Sequence, residues 1–174
     1  MNRFDYALAF VTQAHIEGGY SDRKADRGGA TNHGVTQKTY DEFRKNAGLS
    51  LRSVKLITSD EVSGIYRTMY WNAAKCGVLP PPLDLYVFDM AVNSGPRRAV
   101  KTLQSLLGVG ADGALGPVSI AAIQEDVAAG RLPELCNNYL AARLDFYDEI
   151  VANDPTQKEN INGWRNRIEH LRNA

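Results

Sequence analysis

The sequence predicts a mainly α-helical fold with one small β-hairpin, and three observations predict it. Apolar residues recur at helical spacing through most of the chain. Thr, Pro and Gly stand where helices start and stop. Only the stretch from 18 to 36, dense in Gly, Asp and Thr, breaks that pattern in favour of turns and short extended backbone. With 174 residues, 44% hydrophobic and 23% charged, the chain has enough apolar material for a real core. We read 1–174 as a single compact unit with two sub-regions, 1–79 and 83–174. Pro80-Pro81-Pro82 forms the stiff connector between them.

Phe4, Ala7, Leu8 and Val11 fall on one helical face, predicting a helix over about 3–17 that Gly18-Gly19 stops. After the hairpin region, Thr36 caps a helix over about 37–46, ended by Gly48. Thr58 and Glu61 form a capping box, and the helix they start carries Val62, Ile65, Tyr66 and Met69 inward as far as about Trp71. Beyond the prolines, Leu85, Phe88, Met90 and Val92 make an apolar helix stopped at Gly95. Pro96 opens the next helix at its first turn, with Val100, Leu103 and Leu107 inward and Gly108 at its end. Gly116-Pro117 starts another, up to Gly130. Pro133 starts a long one with Leu135, Tyr139, Leu140, Leu144 and Tyr147 inward, ending before Asp154-Pro155. A last helix carries Trp164, Ile168 and Leu171.

Twenty basic and twenty acidic residues balance to a formal net charge of zero, so no bulk field draws the chain to nucleic acid or anionic lipid. No apolar run approaches the ~20 residues of a membrane span. Asp5, Thr12 and Gln13 interrupt the N-terminal apolar stretch, which argues against a secretory signal and for cytoplasmic synthesis. Cys76 and Cys136 lack metal-type spacing and are expected to be reduced, buried, small apolar side chains. His15, His33 and His170 fit no zinc pattern, and Asp112-Gly113 lacks the downstream acidic ligand of a calcium loop. We expect neither metal nor cofactor.

Glu17 is the most informative single residue. In the last turn of the first helix it meets the negative end of the helix dipole, which disfavours its charged form and raises its pKa, as a general acid near neutral pH requires. The following segment bends back through Gly28-Gly29 and the Asn32/Gly34 turn formers, which would fold a second carboxylate toward the first. Two carboxylates across a cleft are the minimal equipment for hydrolysing a glycosidic bond. Asp26 and Asp22 compete for the second role.

The residues from Glu17 to Thr36 resemble the opening motif of glycoside hydrolase family 108, lysozyme-like N-acetylmuramidases found in phage endolysins. The resemblance lies in Glu17-Gly18-Gly19-Tyr20, Asp26, Gly28-Gly29, Thr31-Asn32 and Gly34-Val35-Thr36. Arg27 stands where the family has Pro, and Val35 where it has Ile. It continues in Tyr70-Trp71, in Phe88 to Gly95, in Leu103-Gln104 and in Asp112 to Pro117. These later pieces resemble the peptidoglycan-binding region that accompanies the family.

The resemblance implies an α+β lysozyme-like fold with the hairpin lobe beside an active-site cleft. It also implies a Glu, Asp, Thr triad: Glu17 as general acid, Asp26 as base and Thr31 as the residue that holds the attacking water. The interval from Asp26 to Thr31 is one residue off that of phage-type lysozymes. Tyr20, Trp71 and Asn93 are candidates for binding the sugar, with core packing or helix-end hydrogen bonding as the alternative for each. The implied function is cleavage of the β-1,4 bond between N-acetylmuramic acid and N-acetylglucosamine for host-cell lysis. The protein would act as a monomer on the wall after holin-dependent release from the cytoplasm. A lytic transglycosylase, or a non-catalytic wall-binding or secretion-accessory module, is the alternative.

Overall fold

The computed structural model describes residues 2–13, 20–21 and 29–174. The chain divides into two compact units, Met1–Asn72 and Ala73–Ala174. The three prolines therefore lie inside the second unit, just before its first long helix. The Pro81–Pro82 peptide is cis.

In the first unit, α1 spans Arg3–Gln13 and buries Phe4, Ala7 and Val11, the face its spacing predicts. The hairpin consists of β1 (Thr31–Asn32) and β2 (Val35–Thr36), antiparallel, with Thr31 opposite Thr36 and Asn32 opposite Val35. His33 (φ 50°) and Gly34 (φ 75°) turn it. Positive φ at both central positions is what a two-residue hairpin demands, and glycine adopts it without strain. Asn32 and Val35 are buried, whereas Thr31 and Thr36 share the other face.

Helix α2 (Gln37–Asn46) begins where Thr36 predicts, the Thr36 hydroxyl accepting from the Thr39 amide. Helix α3 (Ser59–Ile65) carries the complete Thr58/Glu61 capping box. Where the sequence predicts an uninterrupted helix to Trp71, the structure widens instead into a π-helical turn, Tyr66–Asn72. This turn packs against α1. The Trp71 ring meets Phe4 edge-on at 5.6 Å and 75°, and the Arg67 guanidinium lies over the Phe4 ring at 3.9 Å. The local helical pattern yields to these aromatic contacts.

The second unit is built on α4 (Leu83–Ser94), which is buried at every position from Leu83 to Ala91. Gly95, at φ 86°, ends it and Pro96 opens α5 (Pro96–Leu106). Helix α6 (Pro117–Ala128) follows, then the long α7 (Leu132–Asn153) and α8 (Ile161–Arg172). Helices α5 and α7 pack on α4, and α6 and α8 pack on α7. Leu107 and Leu144, predicted inward, are only half-buried. Arg143 takes the inward place beside Leu144, because Asp89 of α4 and the Tyr147 hydroxyl provide it with partners there. Cys76 and Cys136 are both buried and free.

Candidate active site

The described part of the predicted site lies in the first unit, around the hairpin. Ser21 and Thr31 pair antiparallel, each amide donating to the other's carbonyl at 2.8 Å. Thr31 is thus held by Ser21 on one side and by the β1–β2 register on the other. Its hydroxyl accepts no hydrogen bond among the described residues, and it is half-buried. Glu17, Asp26 and the rival Asp22 lie outside the described residues. Tyr20, next to Ser21, is 41% exposed, and the Lys55 ammonium stands 5.4 Å from the centre of its ring.

The hairpin is fixed from beneath by residues that the motif reading did not single out for this task. Asn32 donates through Nδ2 to the carbonyls of Val54 (3.2 Å) and Lys55 (3.3 Å). Gln37, in the first turn of α2, donates to the Arg52 carbonyl at 2.9 Å and accepts from the Val54 amide at 2.7 Å. The 52–55 segment is therefore tied to both the hairpin and α2. A buried polar group costs stability unless it is paired, so these contacts specify one arrangement.

Glu61 collects three side chains that are distant from it in sequence. It accepts from Arg44 at 2.5 Å, Arg52 at 2.7 Å and the Tyr40 hydroxyl at 2.9 Å, besides the Thr58 amide at 3.0 Å. Burial pulls its pKa up, but the Thr58 amide, Tyr40 and Arg52 outweigh that and hold it down to about 2. The capping box was legible as Thr58-x-x-Glu61; the three distant partners were not, since nothing in their spacing marks them as neighbours.

Two further predicted residues stand in other elements. Trp71 is 6% exposed and belongs to the packing of α1 against the π-helical turn. Asn93, in the second unit, is exposed and donates through Nδ2 to the Asp89 carbonyl at 2.9 Å, four residues back. It immediately precedes an open cavity of about 590 Å³ lined by Ser94, Gly95, Pro96, Arg97, Arg98 and Lys101. No group of three or more His, Cys, Asp or Glu among the described residues is placed to hold a metal ion. No helix among the described residues is long and apolar enough to cross a membrane.

Comparison with known proteins decides the family. The glycosyl hydrolase 108 model matches residues 10–95, and a predicted peptidoglycan domain matches residues 98–169. Among solved structures, SagA of Brucella abortus is 35% identical and superposes with a TM-score of 0.79, covering 98% of this chain and 91% of that one. The chain belongs to glycosyl hydrolase family 108. A search of curated proteins finds no match. This family 108 protein is a glycoside hydrolase of the lysozyme, or N-acetylmuramidase, type, and its second region is a peptidoglycan-binding one. The sequence expectation of a mainly α, lysozyme-like fold with a small antiparallel hairpin holds.

Proposed function

We propose that this family 108 hydrolase cleaves the β-1,4 bond between N-acetylmuramic acid and N-acetylglucosamine, with Glu17 as general acid, Asp26 as base and Thr31 positioning water. The Ser21–Thr31 pairing is the observation that carries the reading. Glu17 is four residues from Ser21, and Asp26 five from both Ser21 and Thr31. The pairing closes the stretch of sequence that carries Asp26 and ends at Thr31. Thr31 presents a hydroxyl that both donates and accepts at the same place. An inverting hydrolysis needs carboxyls ~6.5–9.5 Å apart with a water between the base and the sugar.

The protonated Glu17 would donate to the leaving glycosidic oxygen. Asp26 would take a proton from water as its oxygen attacks the opposite face of the ring. No cofactor enters this chemistry. We further propose an endolysin role: synthesis in the cytoplasm, release through a holin-type lesion, and action as a monomer in two sub-regions, 1–79 catalytic and 83–174 wall-binding. The 98–169 peptidoglycan match supports the latter division.

Digestion of purified peptidoglycan, followed by borohydride reduction and mass spectrometry of the ends, tests the reaction. Reducible muramic acid ends are expected. Ends of 1,6-anhydromuramic acid would assign a lytic transglycosylase, and an absence of new ends a non-catalytic wall-binding module.

A further inference from the structure

Lys55 carries a charge to the edge of the candidate site by a route that serves no evident packing purpose. It sits between Val54 and Leu56, in a 3₁₀ turn whose Val54 and following Ile57 are buried, while Lys55 itself is exposed. Its carbonyl is held by Asn32, the neighbour of Thr31, and its amide donates to the Ser53 hydroxyl at 3.3 Å. Its ammonium stands over the ring of Tyr20, the neighbour of Ser21, which pairs with Thr31. Two separate tethers, one through Asn32 and one through Tyr20, thus converge on the strand that bears Thr31. Among the described residues no carboxylate forms an ion pair with Lys55.

An aromatic ring offers a surface to a sugar, while an ammonium over one of its faces retains N–H donors for an anion. Of the two groups in this pair, only Lys55 distinguishes a carboxylate-bearing glycan from a neutral one. Peptidoglycan bears such carboxylates, on its stem peptides or, where these have been removed, on the lactyl ether of muramic acid. We infer that Lys55, braced on Tyr20, is a specificity-determining residue that pairs with a carboxylate of the peptidoglycan substrate. This rests on the muramidase reading above.

Steady-state kinetics of wild type, Lys55→Gln and Lys55→Arg test it on three substrates: intact peptidoglycan, peptidoglycan with its carboxyls amidated, and amidase-stripped glycan strands. On a carboxylate-bearing substrate, Lys55→Gln is expected to raise KM about two- to fivefold, the range of an exposed ion pair, with kcat nearly unchanged. Lys55→Arg should restore KM. Amidation should raise the wild-type KM by a similar factor and leave Lys55→Gln unmoved. An effect on intact wall assigns the stem-peptide carboxylates, and one confined to stripped strands assigns the lactyl carboxylate. Equal KM for wild type and Lys55→Gln on both, or an equal response of the two proteins to amidation, overturns the inference. Wild type that releases no new glycan ends would instead sink the muramidase reading, a separate outcome. Circular dichroism of Lys55→Gln should match wild type and its melting temperature should fall only slightly, since Asn32 holds the backbone and only the exposed ammonium–Tyr20 contact is lost.

Discussion

Arg143 and Asp89 form an ion pair 2.6 Å long in which neither side chain has any solvent exposure. Arg167 of α8 meets the other oxygen of Asp89, also at 2.6 Å, so one carboxylate joins α4 to both α7 and α8. The Tyr147 hydroxyl accepts from Arg143 Nε at 2.7 Å, and its ring stacks on Trp164 at 4.8 Å. Burial alone would raise the Asp89 pKa, yet the Arg143 and Arg167 guanidiniums hold it below the usual carboxylate range. Arg143 Nη1 is buried with no hydrogen-bond partner among the described residues, and Nη2 approaches Asp89 off the direction of a good hydrogen bond. The pair therefore secures helix register without being fully satisfied.

Removing one partner strands a buried charge, which typically costs ~3–5 kcal/mol, whereas replacing both by apolar side chains is often neutral. Asp89→Asn should accordingly lower the melting temperature far more than the combined change Asp89→Leu, Arg143→Met, Arg167→Met, which removes every charge of the cluster. Denaturant titration of the two variants measures the difference. A milder effect for Asp89→Asn would mean that Arg143 finds water in the variant.

Glu61 makes a pH prediction whose sign follows from its depressed pKa. Its carboxylate is held at about 2, below the ordinary value of 4.5, so its contribution is full above about 4.5 and fades as pH falls toward 2. Glu61→Gln should cost roughly 2 kcal/mol at pH 7, after allowing for the partly exposed side of the network, and progressively less in acid. Urea midpoints of both proteins at pH 7, 4.5 and 3 should converge. A constant gap across that range would locate the stabilisation in packing, not charge.

Both thiols should titrate only after unfolding. Burial pushes the Cys76 thiol up, and burial together with the Asp84 charge pushes Cys136 up to about 11. At neutral pH neither forms an appreciable thiolate, the reactive form. A disulfide-exchange reagent should therefore react slowly with the native protein and find two thiols in denaturant. Rapid reaction of either native cysteine would contradict the burial.

The proposed acid and base are separable by kinetics. Glu17→Gln keeps size and hydrogen bonding but removes the transferable proton, so lysis should be abolished with melting unchanged. Asp26→Asn should cut the rate on purified peptidoglycan by roughly 10²–10⁴-fold, and Asp22→Asn far less. If Asp22→Asn is dead and Asp26→Asn is active, the base has been misassigned. If neither matters while Glu17 does, the single-acid transglycosylase gains.

What was legible in the sequence was local. Thr36, Thr58, Pro96, Pro117 and Gly95 mark helix ends because a cap or a proline acts on its own backbone within one turn, and all five stand at the ends observed. The hairpin was readable for the same reason from Gly34, which supplies positive φ in the turn, whereas Asn32, also read as a turn former, lies in β1 and leaves the other turn position to His33. Features that depend on distant partners were not readable. The π-helical turn meets Phe4, which stands far back in the chain on α1. Arg143 displaces its apolar neighbour Leu144 only because Asp89 waits on another helix. Within the candidate site, the motif marked Tyr20 and Thr31, but not the Asn32 and Gln37 bonds that brace the hairpin.

Helix α4 has no solvent side over nine consecutive residues, Leu83 to Ala91. A surface helix divides its positions between those that pack and those that drift, and its mutational record reads as a comb with helical spacing. Here that division is missing. Each position is hemmed in at near-crystalline density, so an added methyl group has no free direction in which to relax. A saturation library of the second unit should show an unbroken block of intolerance across α4, with the familiar comb returning only in α6 and the far end of α8. Variation among natural versions of this unit would then have to be written on its periphery, around an axle that stays the same.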